Sequence, residues 1–339
     1  MAEVVTSAHE TMNQLIMGFR ATHLLGVVAR FGLADRLASG PRSSSELAAL
    51  AGAHPEALHR VLRALAQLGV VAMLDDQSFV LTPLGTCLRT DVPGSLHAVA
   101  LLRSGEYMQR PYLALEHTVR TGETAFDHAF GMNSFEYLTA HPDTAATFNN
   151  VMTAVLTRVT TSVVTSYDFR PFRTIIDVGG GNGSMTAAIL QAYPELRGVV
   201  FDLPHSRESA LQTLAVHGLT DRCEFVGGSF FEAVPTGVDA YLLRYILHDW
   251  DDARSVAILR TCRRAMAPDS LLLIIESLIP DHDQPNQDVV LSDVHMMILT
   301  GGRERTEDEY RALLEAADLR LVRAVPTPSG FSLLEAVPA

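Results

Sequence analysis

A chain of 339 residues, 47% hydrophobic and 19% charged, is long and apolar enough to bury a sizeable core in one large or two ordinary domains, and is not disordered. Its 26 Lys and Arg against 39 Asp and Glu leave a net charge of −13, which argues against a nucleic-acid backbone as the main partner. The three scattered cysteines (Cys87, Cys223, Cys262) lack metal or redox spacing and fit reduced thiols in the cytoplasm; no run approaches a membrane span, and Met1–Glu10 lacks the basic and apolar regions of a secretory leader.

The N-terminal third reads as helical. Leu15, Ile16, Phe19, Leu24, Val27, Val28 and Phe31 recur at helical spacing. Ser43 and Glu46 form a capping-box signature ahead of Leu47-Ala-Ala-Leu50, with Gly52 as the stop. Pro55 opens a further helix, Glu56 to Leu68, which Gly69 ends. Val70–Met73 and Ser78–Leu81 flank the turn Asp75-Asp-Gln77 and read as two short strands. Helix, tight turn, helix and hairpin is the order of a winged helix, here within residues 1–95. Residues 96–168 read as connecting helices and hold much of the aromatic content, including Tyr107, Tyr112, Phe126, Phe130, Phe135, Tyr137 and Phe148. These rings are expected to pack as core, some of them walling an aromatic substrate.

From Arg173 the period changes. Thr174–Asp177, Gly198–Asp202, Glu224–Val226, Ala240–Leu243 and Leu271–Glu276 are short apolar runs separated by helical stretches such as Ser184–Ala192 and Ala253–Met266. That alternation predicts a parallel sheet covered on both faces, closed by Leu319–Val325 and Phe331–Ala336. The boundary near Asp168–Pro171 makes 169–339 a separate α/β domain.

Asp177-Val-Gly-Gly-Gly-Asn-Gly183 follows the first of these strands and precedes a helix. Glycines there let the backbone approach a ligand, and a helix N-terminus leaves amides pointing at it. Asp202 ends the second strand, where an acid can accept both hydroxyls of a ribose or, in a plainer role, cap the helix before Pro204. Those two features suit NAD and S-adenosylmethionine equally. Asp177 separates them: an acid directly before the glycines repels a pyrophosphate but matches a sulfonium and an amino group. The residues therefore favour S-adenosylmethionine.

With these residues in hand, the chain resembles the class I S-adenosylmethionine-dependent O-methyltransferases of the caffeate, acetylserotonin and bacterial polyketide-tailoring type. The resemblance spans nearly the whole chain. It rests on the glycine loop, Phe201-Asp-Leu-Pro204, Gly228-Ser-Phe-Phe231, Leu247-His-Asp-Trp-Asp-Asp252 and Gly301-Gly-Arg-Glu-Arg-Thr306, in that order. It implies a Rossmann-like domain behind a mostly helical, winged-helix-like dimerisation domain, and a homodimer. By the same resemblance Asp177, Gly179 and Gly181 border the methionine part of the cofactor, and Asp202 with Leu203 takes the ribose. Ser229, Phe230 and Trp250 take the adenine end, and Arg244 matches a basic residue near the cofactor. The family often has an acid where Ser229 stands, so adenine is expected to be held more weakly or differently. S-adenosylhomocysteine is the implied product, and no metal is implied.

His248 follows the fourth strand and Glu276 ends the fifth; Asp177, Asp202 and Ser229 also follow their strands. In an open α/β sheet these ends share one edge, where ligands bind. A phenol has a pKa of about 10 and an imidazole about 6.5, so a base must act as the proton leaves. His248 is the expected general base, with Glu276 and Glu304 matching the two acids that flank it in the family. Asp293, His295 and Met297 are candidates for contact with a small aromatic substrate, His295 also reading as a packed residue. Three other functions stay open: methylation of carbon or nitrogen, a hydroxylase- or pericyclase-like reaction on the same fold, and a winged-helix regulator using His59, Arg60 and Arg63.

Overall fold

The computed structural model describes residues 7–280 and 286–339. The first six residues, part of the stretch read against a secretory leader, lie outside them. Packing divides the chain into two compact units: residues 1–113 with 136–154, and 114–135 with 155–339. The span 96–168, expected as connecting helices, therefore contributes to both, and the helix Pro142–Ser166 runs through the division.

The first unit follows the predicted order. The helix Ala8–Arg30 is capped by a Ser7–Glu10 capping box. Ser43 and Glu46 form the second, opening Ser44–Ala51, and Gly52 ends that helix in the left-handed conformation. Pro55–Gln67 follows, then β1 (Val71–Met73) and β2 (Phe79–Leu81), an antiparallel hairpin. Arg42 adds a single bridge to Phe79, completing the wing. Leu47, Leu58, Leu62, Leu65, Val71 and Phe79 form the buried centre of this unit. His59 packs edge-on against Phe79.

The second unit is built on a seven-stranded sheet. Its strands are β3 (Thr174–Val178), β4 (Arg197–Asp202), β5 (Cys223–Gly227), β6 (Ala240–Arg244), β7 (Leu271–Ser277), β8 (Leu319–Pro326) and β9 (Phe331–Pro338). They lie in the order β5-β4-β3-β6-β7-β9-β8. β3 to β7 are parallel, and β9 runs antiparallel between β7 and β8. Adjacent residues of one strand enter opposite cores, which is why the strands read as continuous apolar runs. Ile176, Tyr241, Leu243, Leu272 and Ile274 pack under the helices Asp252–Ala265 and Glu307–Ala316. Ile175, Leu242, Leu273 and Ile275 pack under Ser184–Ala192 and the end of the long helix, with Val159 and Val163. The strand order reverses at β3, between β4 and β6, so the crevice outside the carboxyl ends of β3, β4 and β6 is where a ligand site is expected. Among the described residues no helix is long and apolar enough to cross a membrane.

Candidate active site

The glycine loop hangs from the end of β4. Register pairs Val178 with Phe201, and the amides of Gly179 and Gly180 both donate to the Phe201 carbonyl at 2.8 and 3.2 Å. Gly179 has φ +76°, and a Cβ there would stand 2.4 Å from Ile246 Cδ1, so this position takes no side chain. Gly181 donates its amide to Asp202 Oδ2 at 2.7 Å, while Asp202 Oδ1 accepts from the Leu203 amide at 2.6 Å and from Ser206 Oγ at 3.2 Å. Asp202, at the carboxyl end of β4, thus braces the loop. Asp177 is buried and accepts from Thr186 Oγ1 at 3.0 Å. Burial lifts its carboxyl above the usual range, against the pull of the Arg244 charge and the Thr186 hydrogen bond. Arg244, also buried, donates Nη1 to Thr160 Oγ1 at 3.0 Å. Burial lowers its pKa and Asp177 works the other way. On the far side Phe230, Phe231 and Trp250 meet edge to face, and Arg254 lies over the Trp250 ring at 5.4 Å. Ser229 Oγ accepts from the Phe231 amide at 3.3 Å.

The second constellation forms where β6 and β7 end side by side. Arg244 pairs with Ile275, so Glu276 is the next residue of β7 and stands beside the turn that leaves β6. Glu276 Oε1 accepts from the amides of Ile246 and Leu247 at 3.0 and 2.9 Å. Its Oε2 lies 3.1 Å from His248 Nδ1, within charge contact but off hydrogen-bond direction. Glu304 Oε1 lies 3.8 Å from the same nitrogen and accepts from Ser292 Oγ at 2.9 Å. His248, Glu276 and Glu304 are all buried. The expected triad of one base and two acids is brought together.

Burial disfavours the charged form of His248, but Glu276, Asp249 and Glu304 outweigh it and lift the imidazole to about 10. Burial lifts Glu304 to about 7, the His248 charge opposing and Glu276 assisting.

Four residues went unremarked in the sequence. Asp249, a quarter exposed, lies 3.6 Å from His248 Nε2, and burial raises its carboxyl to about 6 against the pull of His248. Tyr245 has φ +57°, a conformation few non-glycine residues adopt, and its ring stands edge-on to His248 at 4.8 Å. That backbone reversal is what aims two successive amides at Glu276. Tyr310 is fully buried near the two glutamates. Arg305 is fully buried behind the His248 turn. Asp249 and Arg305 lie inside the quoted Leu247–Asp252 and Gly301–Thr306 motifs without a role of their own there, and nothing in local spacing marks Tyr245 or Tyr310. A Cβ on Gly302 would stand 2.0 Å from the His248 carbonyl oxygen.

The three substrate candidates share the helix Gln287–Leu299. His295 is buried and Met297 half-buried. Asp293 Oδ1 accepts from the Glu304 amide at 2.9 Å, so its carboxylate supports the triad's second acid.

Comparison with known proteins identifies the family. The profile of an O-methyltransferase domain matches residues 112–320, and that of an O-methyltransferase dimerisation domain matches 13–91. A phenazine O-methyltransferase of Lysobacter antibioticus is 44% identical over 96% of this chain and 95% of its own. The solved structure of the mitomycin 7-O-methyltransferase MmcR superposes with a TM-score of 0.93 at 38% identity, covering 98% of each chain. A neocarzinostatin-biosynthesis O-methyltransferase, solved with S-adenosylmethionine and 2-hydroxy-5-methyl naphthoic acid, superposes with a TM-score of 0.84 at 32% identity, covering 94% of this chain and 96% of its own. Proteins named as N-methyltransferases also match along most of the length. The chain belongs to the S-adenosylmethionine-dependent O-methyltransferase family.

Proposed function

We propose that the chain moves the methyl group of S-adenosylmethionine to a hydroxyl of a small aromatic metabolite, with His248 as general base. The observation that carries this reading is the buried imidazole at the end of β6, its Nδ1 3.1 Å from Glu276, on the same sheet edge as the glycine loop and Asp202. The residues present fit the cofactor. A buried acid, Asp177, stands directly before the glycines and would oppose a pyrophosphate, and the Gly179 position leaves no room for a side chain. Asp177, Gly179 and Gly181 would border the amino-acid part, and Asp202 with Leu203 the ribose. Ser229, Phe230 and Trp250 would border the base, with Arg244 near the cofactor beside Asp177.

When bound, the cofactor supplies a methyl already activated on a cationic sulfur. What remains for the chain is to hold and deprotonate the acceptor. Glu276 and Glu304 hold the Nδ1 side of His248, leaving Nε2 to accept the hydroxyl proton. Glu276 fixes the ring by pinning the backbone before it and by stabilising the imidazolium that forms. The positive charge those carboxylates meet is the imidazolium's, and no metal enters the reading, although the three side chains offer ligand atoms within 4.8 Å of one another. Met297 and His295 would contact the ring system of the acceptor. Its chemical class is read from relatives acting on phenazines, mitomycin and naphthoates.

The exposed side chains Met12, Leu15, Ile16 and Phe19 on the helix Ala8–Arg30 are covered by a second copy, consistent with the dimerisation profile over 13–91. The unpaired cysteines suit a cytoplasmic setting.

Methylation of nitrogen is the second reading, favoured by the N-methyltransferases among the relatives. The test is incubation with methyl-labelled cofactor and a panel of hydroxyquinones, catechols, phenazines and aminoarenes. Label on oxygen supports the proposal, and label confined to nitrogen or carbon overturns it.

A further inference from the structure

Arg305 is the largest of the fully buried side chains, and its guanidinium lies directly behind the turn that carries His248. Nη1 donates to the Leu247 carbonyl at 2.9 Å, and Nη2 donates to the Trp250 carbonyl at 2.8 Å. The backbone on both sides of His248 is therefore held by one rigid, planar cation. Nε and Nη2 both donate to Asp252 Oδ1, at 3.0 and 2.8 Å, and Nη2 reaches Ser255 Oγ at 3.3 Å. That fixes the fork against the start of the helix Asp252–Ala265. The Arg305 main chain makes the remaining link. Its carbonyl accepts from the Ile279 amide at 2.9 Å, and Arg305 bridges Leu278, two residues beyond Glu276. Glu304 is its neighbour in sequence. The Arg303 amide donates to the His248 carbonyl at 2.9 Å.

We propose that Arg305, anchored by Asp252, is the positioning residue that fixes His248 in register with Glu276 and Glu304. One side chain and its own backbone connect the three pieces of chain that bear the triad: the turn after β6, the continuation of β7, and the Gly301–Thr306 segment. Glu276 pins the amides before His248, and Arg305 holds the carbonyls on either side of it and joins that turn to the segment that carries Glu304. Lysine in this place would keep the charge but could not span Leu247, Trp250 and Asp252 together. The inference rests on the reading of His248 as base.

The experiment compares R305K, R305M and D252N with the unaltered protein and with H248A. Calorimetry with S-adenosylhomocysteine counts folded, cofactor-competent sites. The rate of methyl transfer per competent site, the acceptor KM and the pH profile are then measured. R305K is expected to lower kcat per site by roughly 10–100-fold, the scale of an ångström-sized misplacement. Cofactor affinity should change far less than kcat, the Trp250 carbonyl being the one contact shared with the cofactor side, and the KM should move little. D252N is expected to give a smaller fall in the same direction. In both, the acid limb of the pH profile should shift to lower pH as the imidazole loosens from its carboxylates. R305M should be the worst of the three; if it fails to fold, R305K and D252N decide the matter. Unchanged kcat per site and pH profile in R305K and D252N overturn the proposal, even where the melting temperature has dropped. If H248A retains full turnover, the base assignment itself falls; if H248A is impaired while the Arg305 and Asp252 variants are not, only the positioning role falls.

Discussion

Glu276 makes two separable contributions, and two substitutions pull them apart. Its Oε1 accepts from the part-buried Ile246 amide and the buried Leu247 amide, and its Oε2 faces His248 Nδ1. Glu276→Ala removes both. A buried amide left without an acceptor costs about 1–3 kcal/mol and a part-buried one less, so the loss is roughly 1–4 kcal/mol. Against a typical total of about 5–15 kcal/mol that is severe. Glu276→Gln keeps a carbonyl oxygen for the two amides and turns an NH₂ toward Nδ1. That removes the negative charge facing Nδ1 and favours the tautomer with its proton on Nε2, the atom that should receive the substrate's proton. An amide replacing the acid of a histidine-centred triad costs up to about 10⁴ in turnover, and general-base help is worth at least roughly 10². Glu276→Gln should therefore melt within a few degrees of the unaltered protein and turn over 10²–10⁴ times more slowly on these scales. The assays are thermal unfolding and transfer of labelled methyl to a fixed acceptor. A Gln variant that keeps near-normal turnover, or an Ala variant as stable as the unaltered protein, would refute the reasoning.

Other consequences are open to measurement. Because the base must be neutral to work and its carboxylates lift it to about 10, activity should be lost as pH falls through a value above the ordinary imidazole value of about 6.5. The cofactor's positive charge opposes the imidazolium, so the acid limb in the presence of saturating cofactor should lie between those values; a limb at pH 5 would contradict the environment described. Asp202→Asn should weaken S-adenosylhomocysteine binding by about tenfold or more, since it removes a charge-assisted acceptor and loosens the brace to Gly181; calorimetry showing equal affinity would count against the ribose role. Gly302→Ala should slow turnover and lower the melting temperature together, because the added Cβ drives into the His248 carbonyl; normal activity would show that the two segments do not pack as described. Phe19→Glu should yield monomers in sedimentation, and an unaltered dimer would remove the helix Ala8–Arg30 from the interface.

The sheet was legible because buried parallel strands read as continuous apolar runs, and all seven appear where the runs lie. The Ser43 cap was legible for a similar local reason, since its partner Glu46 lies three residues on. His248 and Glu276 could be placed on one edge because topology alone puts strand ends there. Arg305 could not. In Gly301–Thr306 it sits among charges that read as a solvated loop, and its burial is decided by carbonyls about 55 residues away. Asp293 shows the converse case, since its carboxylate is committed to the Glu304 amide, a partner no spacing rule announces. Asp202, read as a ribose acceptor or a cap before Pro204, also accepts from the amides of Gly181 and Leu203, and the long-range bond to Gly181 is one that no spacing rule announces.

In the proposed reaction His248 takes the acceptor's proton. The decisive measurement is single-turnover methyl transfer by His248→Ala beside its affinity for S-adenosylhomocysteine. The rate should fall at least about 10²-fold with cofactor affinity nearly unchanged. An equal rate in that variant would rule His248 out as the base.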